Sequence, residues 1–377
     1  MSKEKNKDPL QIAKDLFKKY GEHLVKTGTE IIAKPTKLVS VSPIIDINIG
    51  GGIPEGSVVL LAGDEKCGKT VTALQICRNA QKQQRNIHYL NIEHRLKRRD
   101  LEGIAGLDSD AIHVYGSFKE DDEDGNVVAS KLLTGEEWLS IAEHCLHNDP
   151  GCIVVIDSIS QLVTEKEINA NIGDVVGDGA YRLMSQFIKR MAPVLSVNDC
   201  ILIGIQHMIA NTRARPGQKS KGRSGGRKIR YAVDVDLECR YISPWTVGGD
   251  DDAEQIGQDI HWITRSTAIL PPGRRFTSKL RYGIGIDDLA ELFELGKALG
   301  FIAGKGWYTL DYMRNHEDIL GIKWEEKQDK KTKEFKPTPE VSKLVKAQGQ
   351  EKILSLLREN PKYIECLKSD VYDMLGC

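Results

Sequence analysis

The sequence predicts an α/β fold built on a mainly parallel sheet, and two features carry that expectation. Continuous apolar runs recur at Val58–Ala62, Ile87–Ile92, Ile112–Tyr115, Cys152–Ile156 and Cys200–Ile205. Stretches with helical periodicity separate most of them, at Thr70–Gln83, Gly135–His147 and Ala180–Leu195. Strands without polar alternation are buried on both faces, and helices between them supply the cover that parallel strands require. Two further runs, Val233–Ile242 and Phe276–Tyr282, read as antiparallel additions at the far side of the sheet.

Before this core, Asp8-Pro9 reads as a helix start: Asp caps well, and Pro suits the first helical position. Leu10, Ala13, Phe17 and Tyr20 then fall on one helical face. Such a stripe packs either on its own domain or on a neighbouring subunit, and residues 1–37 form a segment apart. The core spans 38–310. Within it, Glu120–Gly125 and Ser243–Gly257 read as polar insertions. Residues 311–377 turn lysine-rich and then helical, through Glu340–Glu359 and Pro361–Leu375, as a small C-terminal helical domain.

Composition narrows the class. Of 377 residues, 40% are hydrophobic and 28% charged, a globular balance that supports one large domain and a smaller one. The net charge of -1 gives no bulk signal for nucleic acid, so any basic surface must be local. The eight cysteines, Cys67, Cys77, Cys145, Cys152, Cys200, Cys239, Cys366 and Cys377, include no C-x-x-C pair. They read as buried thiols of a reducing compartment, not as a disulfide or zinc framework. MSKEKNKDPL has no apolar signal core, and no apolar run has the length of a membrane span, so a cytoplasmic protein without membrane attachment is expected.

Four strand ends carry the chemistry. Gly63-Asp64-Glu65-Lys66-Cys67-Gly68-Lys69-Thr70 matches G-x-x-x-x-G-K-[ST] between a strand and a helix. Glycines let backbone N–H groups wrap phosphates, and the helix N-terminus adds a favourable dipole. Lys69 is placed for the β and γ phosphates of ATP, and the Thr70 hydroxyl for Mg²⁺. Ile153–Ile156 ends in Asp157, a carboxylate for the same Mg²⁺. Leu90-Asn91-Ile92 ends in Glu93, placed to orient and polarise an attacking water; His94 beside it is either its partner or a bystander. Ile205 ends in Gln206-His207, and a Gln there can bond the γ-phosphate.

Beyond Gln206 runs a cationic stretch: Arg213, Arg215, Lys219, Lys221, Arg223, Arg227, Lys228 and Arg230, with no acidic residue between. A charge run is ordinarily a solvated face. This one starts at the γ-phosphate contact and is broken by Pro216, Gly217, Gly222, Gly225 and Gly226, so it fits phosphate-backbone contact without base readout. It holds no aromatic residue for base stacking.

These elements, in this order, resemble RecA-type DNA strand-exchange recombinases, including the phage UvsX-like members. The likeness runs from about Leu16 to Leu310. It rests most specifically on Glu165-Lys166-Glu167-Ile168-Asn169-Ala170-Asn171-Ile172-Gly173-Asp174, followed by Arg182-Leu183-Met184-Ser185-Gln186. Gly225-Gly226 with Tyr231, Glu294-Leu295-Gly296 and Gly306-Trp307-Tyr308 add to it. The resemblance implies a RecA-like P-loop ATPase core, an N-terminal polymerisation helix and a small C-terminal domain. It implies a helical homo-oligomeric filament on single-stranded DNA that pairs with homologous duplex and hydrolyses ATP with Mg²⁺ between subunits. A nucleoid-associated protein meeting single-strand-binding and mediator proteins follows from the same likeness. It makes Glu93 the activator of water and Gln206 the link between ATP and the second DNA loop. It makes Ile172, Gly173, Arg182 and Ser185 the first DNA-contacting group. One basic residue, Arg265, stands where family members carry two that reach the neighbour's ATP. A hexameric helicase-type motor of the same core is the first alternative, and it lacks the Ile172-Gly173-Asp174 loop. A recombination mediator paralogue is the second, and the intact Lys69, Thr70, Glu93 and Asp157 argue against it.

Overall fold

The computed structural model describes residues 9–20, 26–116, 120–121, 127–128, 132–171, 179–210, 221–223, 229, 232–247, 253–328 and 335–376. Met1–Lys37 and Leu38–Cys377 are two compact units. In the first, α1 (Pro9–Tyr20) and α2 (Gly28–Ala33) are helical. A reciprocal cap starts α2: Glu30 N donates to Thr27 Oγ1 at 3.2 Å, and Thr27 N donates to Glu30 Oε2 at 2.7 Å. Ile12, Leu16, Tyr20, Ile31 and Ile32 are exposed. The side chains of Leu10, Ala13 and Phe17 lie outside the described residues.

The second unit is organised by a ten-stranded sheet. Its strands are β1 (Val58–Gly63), β2 (Ile87–Asn91), β3 (Ile112–Tyr115), β4 (Ile153–Asp157), β5 (Ile201–Ala210), β6 (Lys221–Arg223), β7 (Val235–Val247), β8 (Glu254–Ser266), β9 (Arg275–Arg281) and β10 (Gly285–Ile286). They lie in the order β10-β9-β8-β7-β1-β5-β4-β2-β3, with β6 paired to the end of β5. From β1 through β5, β4 and β2 to β3 every pairing is parallel. Residues of β1, β2 and β4 are buried throughout, as unalternating apolar strands must be.

The two faces carry separate cores. Leu61, Ile203, Val155 and Tyr89 pack with Leu74, Ile76 and Cys77 of α4 (Lys69–Gln81). Their strand neighbours Leu60, Leu202, Val154 and Leu90 pack with Trp138 of α5 (Gly135–Asn148) and Met184 and Phe187 of α6 (Gly179–Asn198). The right-hand side differs from expectation. Strand β7 is parallel to β1 over Val235–Glu238 and, on its other side, antiparallel to β8 from Asp236 onward. Most of Ser243–Gly257 belongs to that hairpin, in register from Ser243↔Asp259 to Val247↔Glu254, and is not an insertion. The sequence hid it because β7 leaves the core after Cys239 and its later residues are largely exposed.

A third apolar cluster joins Phe293 of α7 (Asp288–Ala298) to Leu310, Tyr312, Val345, Ile353, Leu357 and Leu367. It is covered by α8 (Gln350–Glu359) and α9 (Pro361–Leu375), and in a small antiparallel sheet of Ile302–Ala303, Trp307–Leu310 and Lys346–Gln348 the last strand falls within Glu340–Glu359, a stretch read as helical. Asp46, on α3 (Pro43–Ile49), ties this cluster to the core. Its fully buried carboxylate accepts Val41 N at 2.7 Å, Ser40 Oγ at 2.5 Å and Tyr372 Oη at 3.0 Å.

Burial pushes the Asp46 carboxyl up to about 7. A carboxyl raised by folding contributes stability that is present in full below its ordinary value of 3.8 and is lost as the pH rises through about 7. The Tyr372 hydroxyl offsets that loss by donating to the ionised form. Tyr372→Phe should therefore cost about 1 kcal/mol in urea unfolding at about pH 8, and less at about pH 5. An equal cost at both values would mean that Asp46 does not ionise in this range.

Candidate active site

The parallel register brings the four strand ends to one edge. Ala62 stands opposite Gln206 and Gly63 opposite His207, while Asn91 stands opposite Asp157. At β1 the chain leaves through the phosphate loop. Gly68 caps α4 at φ +86°, and a Cβ there would meet Ile260 Cδ1 at 2.4 Å, so this position requires glycine. Lys69 is buried, and its Nζ donates to Gly63 O at 3.1 Å and Asp64 O at 2.5 Å. The ammonium thus sits inside the curve of the loop, satisfied by neutral carbonyls that an anionic phosphate oxygen can replace. Cys67 lies 3.7 Å from Lys69 Nζ. A hydrogen bond with Cys239 lowers the Cys67 thiol against the effect of burial, and the Lys69 charge acts the same way. Glu65 and Lys66 are exposed at the loop tip.

Thr70 Oγ1 donates to Asp157 Oδ2 at 3.2 Å, and Tyr89 Oη donates to the same oxygen. Asp157 Oδ1 is buried without a hydrogen-bond partner among the described residues. Burial pushes this carboxyl above its ordinary value, and the Glu93 charge pushes the same way. A buried carboxylate with an orphaned oxygen beside a hydroxyl fits a hard divalent cation, which takes oxygen ligands and lets such a group stay ionised.

Glu93 follows β2, where its N–H donates to Asp157 O at 3.0 Å. Its Oε1 pairs with His207 Nε2 at 2.8 Å. The bond from His207 holds the Glu93 carboxyl below its ordinary value against a smaller opposing effect of burial. His94 is exposed at φ +53°. The partner of Glu93 is therefore His207. Sequence reasoning passed over it, because the contact runs from β5 across to the end of β2 and leaves no local pattern. Tyr89, also missed, shares a strand face with Asn91, the residue in register with Asp157. The N–H of His207 donates to Ser160 Oγ at 3.0 Å, and Ser160 Oγ stands 3.3 Å from Tyr181 Oη on α6. Gln206 is buried beside this group.

Arg265 forms a two-pronged pair with Glu238 of its own chain, at 3.0 and 2.6 Å, and Arg240 adds a third bond at 3.0 Å. Glu238 lies in register with Ala62, so this pair borders the phosphate loop. Reaching a neighbour's nucleotide would require Arg265 to leave it.

On α6, Arg182 is exposed, while Ser185 is buried. Lys221 and Arg223 lie on β6, whose backbone returns along β5 from Ala210 to Met208. Ile172, Gly173, Arg213, Arg215, Lys219, Gly225, Gly226, Arg227, Lys228 and Arg230 lie outside the described residues. No helix among the described residues is long and apolar enough to cross a membrane.

Known proteins resemble this chain over most of its length. A RecA protein of Oceanobacillus iheyensis is 27% identical over 338 residues, covering 83% of this chain and 89% of the relative. One from Rhodococcus jostii is 29% identical over 297 residues, 78% of this chain and 80% of the relative. A mitochondrial DNA repair protein recA homolog of Dictyostelium discoideum is 27% identical over 302 residues, 79% of this chain and 62% of the relative. The RecA N-terminal domain family matches residues 10–287. That match takes in all of the strand ends that build the nucleotide edge, and the chain belongs to the RecA family.

Proposed function

We propose that the protein is a DNA-dependent ATPase that assembles as a helical filament on single-stranded DNA and drives homologous pairing and strand exchange. One observation supports this most: Gln206 and His207, adjacent on β5, join the Glu93 pair to the cationic segment that follows. A closed-ring motor of the same core would lack the Ile172-Gly173-Asp174 loop and the N-terminal docking helix, and the intact Lys69, Thr70, Glu93 and Asp157 argue against a non-hydrolysing mediator.

The residues divide the work. Loop amides from Gly63 to Gly68 and the α4 N-terminus bind the phosphates, and Lys69 exchanges its carbonyl partners for phosphate oxygens. Thr70 and Asp157 would hold Mg²⁺, which neutralises charge on the phosphates when bound. Glu93 orients a water and accepts its proton, while His207 keeps Glu93 ionised and fixes its orientation. Gln206 senses the γ-phosphate and passes the difference between ATP and ADP into the segment beyond β5. There Arg213, Arg215, Lys219, Lys221, Arg223, Arg227, Lys228 and Arg230, with Gly225 and Gly226 for freedom of the backbone, follow DNA phosphates. Ile172, Gly173 and Arg182 form a second contact; buried Ser185 supports the helix that carries Arg182. α1 docks on the next subunit, and Arg265 faces the interface that closes over ATP. Such a protein works in the cytoplasm, at the DNA, beside single-strand-binding and mediator proteins.

Lys69→Ala should abolish ATP-dependent strand exchange while the fold persists by circular dichroism; full exchange by the folded variant would refute the nucleotide assignment. Glu93→Gln should slow single-turnover hydrolysis by about 10²-fold or more with ATP affinity kept. Because the base works ionised, and His207 lowers its pKa, His207→Ala should move the acid limb of the pH–rate profile upward. A limb that stays in place would make the pair merely structural.

The DNA reading has its own test. Alanine at Arg213, Arg215 and Lys219 together should remove about two phosphate contacts and lower the slope of log affinity against log salt by roughly 1.4 on single strands. Gln206→Ala should leave the slope in ADP unchanged but shrink the advantage of ATP over ADP, since a ligand shifts only states it distinguishes. Salt titrations of both variants in each nucleotide decide; an unchanged slope in the triple variant removes the segment from the DNA.

A further inference from the structure

At the edge of the sheet opposite the nucleotide, a second group of side chains converges. His88 is the second residue of β2, Cys152 immediately precedes β4 and Cys200 immediately precedes β5. These are three adjacent central strands, so the parallel register alone gathers the three side chains on one face. Asp149, which caps the end of α5, joins them across the tight turn Asp149-Pro150-Gly151-Cys152, where Cys152 N donates to Asp149 O at 3.2 Å. His88 Nε2 lies 2.8 Å from Asp149 Oδ2, and a ligand atom from each of His88, Asp149 and Cys152 lies within 4.8 Å of the other two. Cys200 Sγ is 3.8 Å from Cys152 Sγ but stands outside that group of three, so it joins them by turning toward His88 and Asp149.

We propose that His88, Asp149, Cys152 and Cys200 form a structural zinc site at the starts of the central strands. The donor set is two sulfurs, one imidazole nitrogen and one carboxylate oxygen, which suits zinc by softness and by number. Two thiolates each about 2.3 Å from a tetrahedral zinc stand about 3.8 Å apart, the separation of Cys152 and Cys200 here. Metal entry opens the His88–Asp149 pair by about 0.5 Å, draws the Cys152 sulfur toward it by about 1 Å and the Cys200 sulfur farther. The thiols give up long contacts to carbonyls, at 3.8 Å from Cys152 to Cys145 O and at 3.5, 3.6 and 3.8 Å from Cys200 to Asn198 O, Asp149 O and Leu146 O, and the contact between the two sulfurs.

The surroundings are built as a metal's outer partners are. The other ring nitrogen of His88 bonds Tyr115 Oη at 3.0 Å, and the other carboxylate oxygen of Asp149 accepts Asn86 Nδ2 at 3.1 Å. Arg85 Nη1 holds both approach turns, donating to Gly151 O at 3.0 Å and Asp199 O at 2.8 Å. Cys152 and Cys200 are fully buried, while the Asp149 side chain keeps 27% of its surface, which leaves a path for the ion. Four protein ligands close the coordination shell, so the site clamps the strand starts rather than activating water.

The test uses the full chain, reduced, stripped with chelator and titrated with cobalt(II). One cobalt per chain should bind, with sulfur-to-metal charge-transfer absorption and tetrahedral visible bands, and zinc should displace it. Cys200→Ser should halve the charge-transfer intensity, Cys152→Ser should remove most of the binding, and Cys366→Ser, in the C-terminal cluster, should change nothing. Because buried Cys→Ser variants can misfold, the parent protein provides a second reading by zinc X-ray absorption: two sulfur neighbours at about 2.3 Å and two lighter ones at about 2.0 Å. Absence of the cobalt absorption, a zinc shell without sulfur, or a Cys152–Cys200 disulfide in metal-free native protein would each overturn the site.

Discussion

The nucleotide edge depends on the parallel register of β1, β5, β4 and β2. Lys69, Thr70, Asp157, Glu93, Gln206 and His207 come from four strands far apart in sequence, and only that register aligns them. A slip of one residue in β5 against β1 would turn His207 away from Glu93 and put Gln206 in its place, because side chains alternate with period two. The apolar runs hold the register, since the same slip would exchange Leu202 and Ile203 between two different cores. The interiors that stabilise the domain therefore also set the geometry of its chemistry.

The edge concentrates charge in a dry place. Asp157 is pushed up by burial while Glu93, a strand away, is held down by His207. Two carboxylates driven in opposite directions are suited to different tasks. Tyr89 and Thr70 donate to one oxygen of Asp157 and leave the other open. On the far side, Glu238 is neutralised by Arg265 and Arg240 before it can repel an incoming phosphate.

Much of this was legible in the residues. The phosphate loop, Asp157, Glu93 and Gln206 each end an apolar run, and the run points to the sheet edge without help from tertiary structure. His207 and Tyr89 were not legible because their roles are cross-strand relations: neither has a local pattern, and both touch their partners only through register. Strand β8 was hidden for a different reason. Only its first two residues are exposed, but Gln258, Asp259, His261, Thr264 and Arg265 interrupt its apolar residues, so it does not form the continuous run by which its neighbours are recognised. The group around Cys152 escaped because Cys152 and Cys200 open apolar runs without a C-x-x-C spacing and so read as buried thiols; only the register of β2, β4 and β5 brings them beside His88.

The doubled core has a consequence for how the molecule comes apart. Backbone amides at Leu60, Val155 and Ile203 lie in the middle of the parallel sheet with helices on both sides, so they exchange with solvent only through the largest openings. The groups at the nucleotide edge are carried by those same strands. Local breathing can expose the Trp324–Gln328 hairpin or the outer part of β7 without disturbing them. The nucleotide edge and the centre of the sheet therefore melt as one unit, and a bound nucleotide would slow amide exchange deep in the sheet as well as around itself.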